Sequence, residues 1–163
     1  MKIYKRKLEP ITAMATINPQ LCKQSSIRVE LVQSNEGPNP HVHVYSGTGK
    51  TGKTSYISLC SASYADHHSS CDRLTRKERD EFVEIMRSIW KKYYISIMVP
   101  KRDKEGKPIK DDKGNIIKDE QVVNATGYEA AVTIWCDTYG GESMFKFDEQ
   151  GRPIMPDYSK LPL

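Results

Sequence analysis

Apolar and polar residues alternate with period two in three early stretches of the chain. Ile27-Arg28-Val29-Glu30-Leu31-Val32, His41-Val42-His43-Val44-Tyr45 and Ser55-Tyr56-Ile57-Ser58-Leu59 each read as a half-buried strand. The links between them are rich in turn residues. Residues 34–40 contain Gly37, Pro38 and Pro40, and 46–54 is built largely of Gly, Thr and Lys. Strands joined in this way predict an antiparallel meander. Residues 2–8 predict a further short strand. Residues 10–25, with Pro10, Pro19 and no clear period, predict irregular chain.

The period then lengthens. Phe82, Val83, Met86, Ile89, Trp90 and Tyr93 recur at three and four residues, which predicts an amphipathic helix over 76–94. Thr75 and Glu78 stand at capping-box spacing before it. Acidic residues crowd its start, and Arg87, Lys91 and Lys92 lie near its end, a polarity that matches the helix dipole. Ile95 to Val99 reads as a strand. A second helix is predicted over 127–139: Thr126 and Glu129 repeat the capping box, Ala130, Ala131, Ile134 and Trp135 form a stripe, and Gly140-Gly141 ends it. The tail from 142 reads as a strand, a turn and extended proline-rich chain.

One pattern occurs three times: Asp, two residues, Gly, two residues, Ile. The copies start at Asp103, Asp111 and Asp148. This is turn chemistry, in which Asp closes a local hydrogen bond and Gly accepts a positive φ. The first two copies make 101–120 a charged ribbon of seven basic and six acidic residues. Together these elements predict an α+β fold: an antiparallel sheet covered by one long amphipathic helix, with a C-terminal hairpin and second helix. A single domain, 1–163, is expected, with 1–99 as the sheet-plus-helix core and 100–163 as an extension of ribbon, helix and tail.

Composition narrows the function classes. The 163 residues are 37% hydrophobic, enough for one globular domain and unlike a disordered chain. No apolar run approaches the roughly 18 residues of a membrane-spanning helix. The basic start, Lys2 to Lys7, has no apolar block behind it, so a cytoplasmic location is expected. A net charge of +4 permits an anionic partner without demanding one. The candidate contacts to nucleic acid or a partner are Lys5, Arg6, Lys7, Lys50, Lys53, Arg87, Lys91, Lys92, Lys101 and Arg102. Cys22, Cys60, Cys71 and Cys136 form no Cys-x-x-Cys pair, so reduced thiols are expected. Cys60 and Cys136 adjoin apolar runs and read as buried.

Two segments carry candidate chemistry. Gly47-Thr48-Gly49-Lys50-Thr51-Gly52-Lys53-Thr54 satisfies the phosphate-loop pattern, which requires a helix after the loop. The alternation that follows predicts a strand instead, and a hairpin tip is the favoured reading. The histidines are the sharper case. His41 and His43, two apart on a strand, share one face and could chelate a metal or do acid–base work. With His68 and Cys71 they would make a four-coordinate set, so zinc is a possible cofactor although none is required.

Asn39-Pro40-His41-Val42-His43-Val44, preceded by Ser34-Asn35-Glu36, resembles the N-P-P-H-F-H-V segment of a small bacterial domain family of undefined biochemical function. Members occur in mobile elements and beside toxin–antitoxin partners. The resemblance covers residues 34–94 and implies a histidine strand, a hairpin, an alternating strand and an amphipathic helix. It carries over no catalytic residues. The function expected is that of a small phage or mobile-element accessory protein that binds and inhibits a host protein or protein–nucleic-acid complex. An anti-CRISPR or other anti-defence inhibitor, or a toxin–antitoxin component, belongs to this class. The alternatives are a nuclease-like toxin or metal-dependent hydrolase using the His41/His43 strand, and a basic module that binds nucleic acid directly. No membrane partner is expected.

Overall fold

The computed structural model describes residues 4–5, 14–16, 26–32, 39–47, 52–65 and 71–163. The fold is α+β, with two antiparallel sheets and two α-helices. The elements in chain order are β1 (Tyr4–Lys5), β2 (Met14–Thr16), β3 (Ile27–Val32), β4 (His41–Ser46), β5 (Lys53–Ser58), α1 (Arg76–Arg87), β6 (Ile89–Pro100), β7 (Lys118–Thr126) and α2 (Gly127–Tyr139). Short 3-10 turns cover Glu142–Met144 and Tyr158–Lys160.

The predicted meander forms one sheet in the order β2-β3-β4-β5. Its register sets Val29 opposite Val44 and Val42 opposite Ile57. One face is therefore Ile27, Val29, Leu31, Val42, Val44 and Ile57, all buried in the core. The opposite face carries Arg28, Glu30, His41, His43, Tyr45 and Tyr56. Met14–Thr16 is a strand where the sequence predicted irregular chain, because β3 supplies the pairing partner.

Helix α1 is shorter than its apolar stripe suggests. The Thr75/Glu78 capping box is formed. The helix stops at Arg87, where extended Ser88 donates both its N–H and its hydroxyl to Glu84 O. Ile89, Trp90 and Tyr93, expected on the helix, lie instead on β6. That run is β-branched and aromatic, which suits a pleated strand. It pairs with β7 along its length and with β1, in the order β1-β6-β7. A register shift between Trp90 and Tyr94 resets the alternation, and Tyr93 within it and Ile95 and Ile97 after it are buried in the core.

Helix α2 matches its predicted bounds and is capped by Thr126 and Glu129. Tyr128 through Trp135 are buried without a break, so this helix is central to the core. Gly127 admits a close approach of the two helices: a Cβ there would lie 2.5 Å from Ile85 O. The tail, expected to begin as a strand, begins with the Glu142–Met144 turn and then wraps back. Tyr158 and Leu161 are buried, and the Tyr158 hydroxyl donates to Ser58 O at 2.7 Å. Cys60 is exposed and Cys136 half-buried, so neither is the buried residue predicted. Burial, together with nearby Glu142 and Asp137, pushes the Cys136 thiol up to about 12. Among the described residues no helix is long and apolar enough to cross a membrane.

Candidate functional site

The polar face of the meander holds the first candidate site. His41 and His43 lie side by side on β4, as period two requires, with ring centroids 5.2 Å apart. Their Nε2 atoms are 3.3 Å apart. Each ring is anchored through its other nitrogen. His41 Nδ1 lies 2.7 Å from Asn39 O, and His43 Nδ1 lies 3.0 Å from the Tyr45 hydroxyl. Both histidines are buried, walled by Tyr56 at 4.8 Å from His43 and by Trp135 of α2 at 5.5 Å from His41.

The polarity of this chain follows from valence. A carbonyl only accepts, so His41 Nδ1 carries a proton and donates it to Asn39 O. In a neutral His41 ring, Nε2 is then an acceptor. The tautomer of His43 sets the direction of the bond between the two Nε2 atoms and of the bond between His43 Nδ1 and the Tyr45 hydroxyl. Glu30 stands opposite His43 in the β3–β4 register. Its Oε1 takes the Arg28 guanidinium at 2.7 Å, while Oε2 is buried with no hydrogen-bond partner among the described residues. Arg28 also lies over the Tyr45 ring, 5.1 Å from its centroid. Sequence alone marks the histidine pair; Glu30 and Trp135 join it only through cross-strand register and helix packing.

The other predicted site residues are placed differently. Cys71 Sγ accepts from Tyr56 N at 3.3 Å. His68, Lys50, Arg6 and Lys7 lie outside the described residues, as do the side chains of Lys5, Lys91 and Lys92. Among the described residues no group of three His, Cys, Asp or Glu could hold a metal ion. Lys53 is tied into the fold: its Nζ donates to Glu78 Oε1 at 2.8 Å and to Arg73 O at 3.2 Å. The Gly47 to Thr54 segment leads into strand β5, so no helix follows the phosphate-loop pattern. Arg87, Lys101 and Arg102 are exposed.

The second candidate is the tip of the β6–β7 ladder. The three Asp-x-x-Gly copies fold alike. Asp103 Oδ1 accepts from Glu105 N and Lys107 N, Asp111 Oδ1 from Lys113 N and Asn115 N, and Asp148 Oδ1 from Gln150 N and Arg152 N. Gly106, Gly114 and Gly151 have φ of 80°, 82° and 84°, a region that favours glycine. Hydrogen bonds Ile109 N to Lys101 O, Ile117 N to Ile109 O and Lys101 N to Ile117 O join the first two copies into a double hairpin. Nearly every residue from 101 to 120 is exposed. The lysines of this tip form no ion pair among the described residues.

The third copy is docked. Met98 N donates to Gln150 O at 2.8 Å, and Arg152 grips Glu129 with two bonds of 2.7 and 2.9 Å. Gly151 and Pro153 are buried beneath it. No family, curated protein or solved structure matches the chain.

Proposed function

We propose that the protein is a small phage or mobile-element accessory factor that binds and inhibits a host protein or protein–nucleic-acid complex. An anti-CRISPR or other anti-defence inhibitor, or a toxin–antitoxin component, is the class intended, acting in the cytoplasm. The observation that carries this reading is the double hairpin at 101–117. It is joined by its own hydrogen bonds and presents exposed lysines. The copy at 148–154 supplies a template for recognition, with a cation after the glycine on a carboxylate and a carbonyl before it on a strand N–H. Lys107 holds the place of Arg152 in the first exposed copy. The resemblance of residues 34–94 to a mobile-element domain family supports the same reading.

The test is affinity capture from a bacterial host lysate, with and without nuclease. The tagged wild type is compared with a variant in which 101–117 is replaced by Asn-Gly, a two-residue hairpin turn. Specific capture of a protein in both nuclease arms, lost in the variant, is the expected result. Equal capture by both chains overturns the role of the tip. Capture that nuclease abolishes favours the basic nucleic-acid-binding module instead.

A second reading, a nuclease-like toxin or metal-dependent hydrolase, is favoured by the convergent Nε2 atoms of His41 and His43. The double substitution His41→Ala/His43→Ala tests it. Unchanged biological activity removes that reading.

A further inference from the structure

We propose that the first turn of the tip, 103–109, docks on an acidic protein partner, with Lys107 on a side-chain carboxylate and the Glu105 carbonyl on a strand N–H. This rests on the reading of the tip as a binding element and names what that element binds.

The argument comes from a twin within the chain. Residues 103–109 read Asp-Lys-Glu-Gly-Lys-Pro-Ile, and 148–154 read Asp-Glu-Gln-Gly-Arg-Pro-Ile. Their backbones bond alike. Asp103 N donates to Lys107 O and Asp148 N to Arg152 O, both at 2.9 Å. Ile109 N donates to Lys101 O and Ile154 N to Lys146 O, both at 2.8 Å. Gly106 and Gly151 share a positive φ, 80° and 84°.

Only their surroundings differ. In the second of these turns Gly151 and Pro153 are buried, and Gln150 and Arg152 are half-buried against β6 and α2. In the first, Glu105, Gly106, Lys107 and Pro108 are all exposed, and nothing lies within 4 Å of a Cβ at Gly106. A proline has no N–H, so covering Pro108 strands no donor there. The middle turn lacks this chemistry, because Asn115-Ile116 stands where the twins carry a cation and a proline.

The docked twin shows what the free one can take. Arg152 holds the carboxylate of Glu129, and Gln150 O accepts from Met98 N. Cation and carbonyl are two residues apart, so they ask for an anion and a donor side by side. A protein offers both, as a carboxylate and a strand N–H, whereas a phosphodiester group offers only the anion. Side-chain charge at the second turn position is not part of the match, since Glu149 there faces Lys104 in the twin sequence.

The test repeats the host-lysate capture with single substitutions in the full chain, adding carbodiimide, which joins a lysine amine to a carboxylate in direct contact. Lys107→Glu should lower the captured protein at least about tenfold, as a like-charge pair replaces an ion pair. Lys107→Arg should keep capture within about twofold of wild type and abolish the cross-link, and Lys104→Glu should leave both within about twofold. In the wild type the coupled amine should be Lys107. Capture that survives Lys107→Glu but is lost when 101–117 becomes Asn-Gly overturns this proposal and leaves the tip as the binding element. Capture that survives both changes overturns the two together. Coupling through Lys104 or Lys113 instead of Lys107, or capture abolished by nuclease, also overturns the proposal.

Discussion

At the scale of single residues, two carboxylates hold helix starts to the rest of the molecule. Glu78 closes the cap of α1 and also receives Lys53 from β5. Burial pushes its carboxyl up, but hydrogen bonds from Lys53, the Thr75 backbone and side chain, and Ser46 outweigh that and hold it at about 2. A carboxyl lowered from its ordinary 4.5 stabilises the folded state above that value, and the contribution fades as pH falls toward about 2. Glu78→Gln should therefore be less stable than wild type near neutral pH. Denaturant titrations at stepped pH should show the gap closing below about pH 4.5 and absent near pH 2. Glu129 does the corresponding work in α2, where it caps Thr126 and receives Arg152. Arg152→Ala leaves that carboxylate buried without its cation. A loss of about 3 kcal/mol in chemical denaturation is expected. Since Glu129→Ala removes the other end of one contact, the double variant should lose less than the sum of the two.

At the scale of elements, the junction of the helices is set by a missing side chain. Gly127 N donates to Ser88 O at 2.8 Å, and its Cα sits against the α1 backbone at Ile85 and Met86. Gly127→Ala must push α2 away from α1, at a cost of about 1–3 kcal/mol that thermal unfolding would register. By contrast, nothing lies within 4 Å of a Cβ at Gly106, so Gly106→Ala meets only the strain of positive φ, about 1 kcal/mol, confined to the turn. The contrast also shows which elements a sequence discloses. Helix α2 and the three Asp-x-x-Gly turns are specified by residues within a few positions of one another, and they appear where the pattern puts them. The end of α1 is not local. Ile89, Trp90 and Tyr93 fit a helical stripe as well as a strand, and pairing of β6 with β7, where Ile89 meets Thr126 and Trp90 meets Ala125, decides between them. Strand β2 is too short to show a period, and β3 defines it. The histidine pair was legible because its residues are two apart. Glu30 and Trp135 were not, since one arrives by register and the other by helix packing.

At the scale of the whole molecule, distance along the chain is a poor guide to importance. The segment after residue 99 was expected to be an extension, yet it divides into two parts of opposite character. The tip at 101–117 bonds mainly to itself and is exposed. The final residues are bound into the core. Tyr158 packs on Phe82 at 4.9 Å, Leu161 O accepts from Arg79, and Pro162 O accepts from the Tyr64 hydroxyl. Replacing 101–117 by Asn-Gly leaves the core cluster and both capping boxes intact, so stability should change by no more than about 0.5 kcal/mol. Ending the chain at Asp157 removes two buried apolar side chains and the hydrogen bond to Ser58, and a loss of about 3–5 kcal/mol is expected. Paired denaturation curves for the two variants check both outcomes. A tip whose removal destabilised the fold as much as loss of the tail would be part of the scaffold, and its lysines would then owe their exposure to folding rather than to a partner.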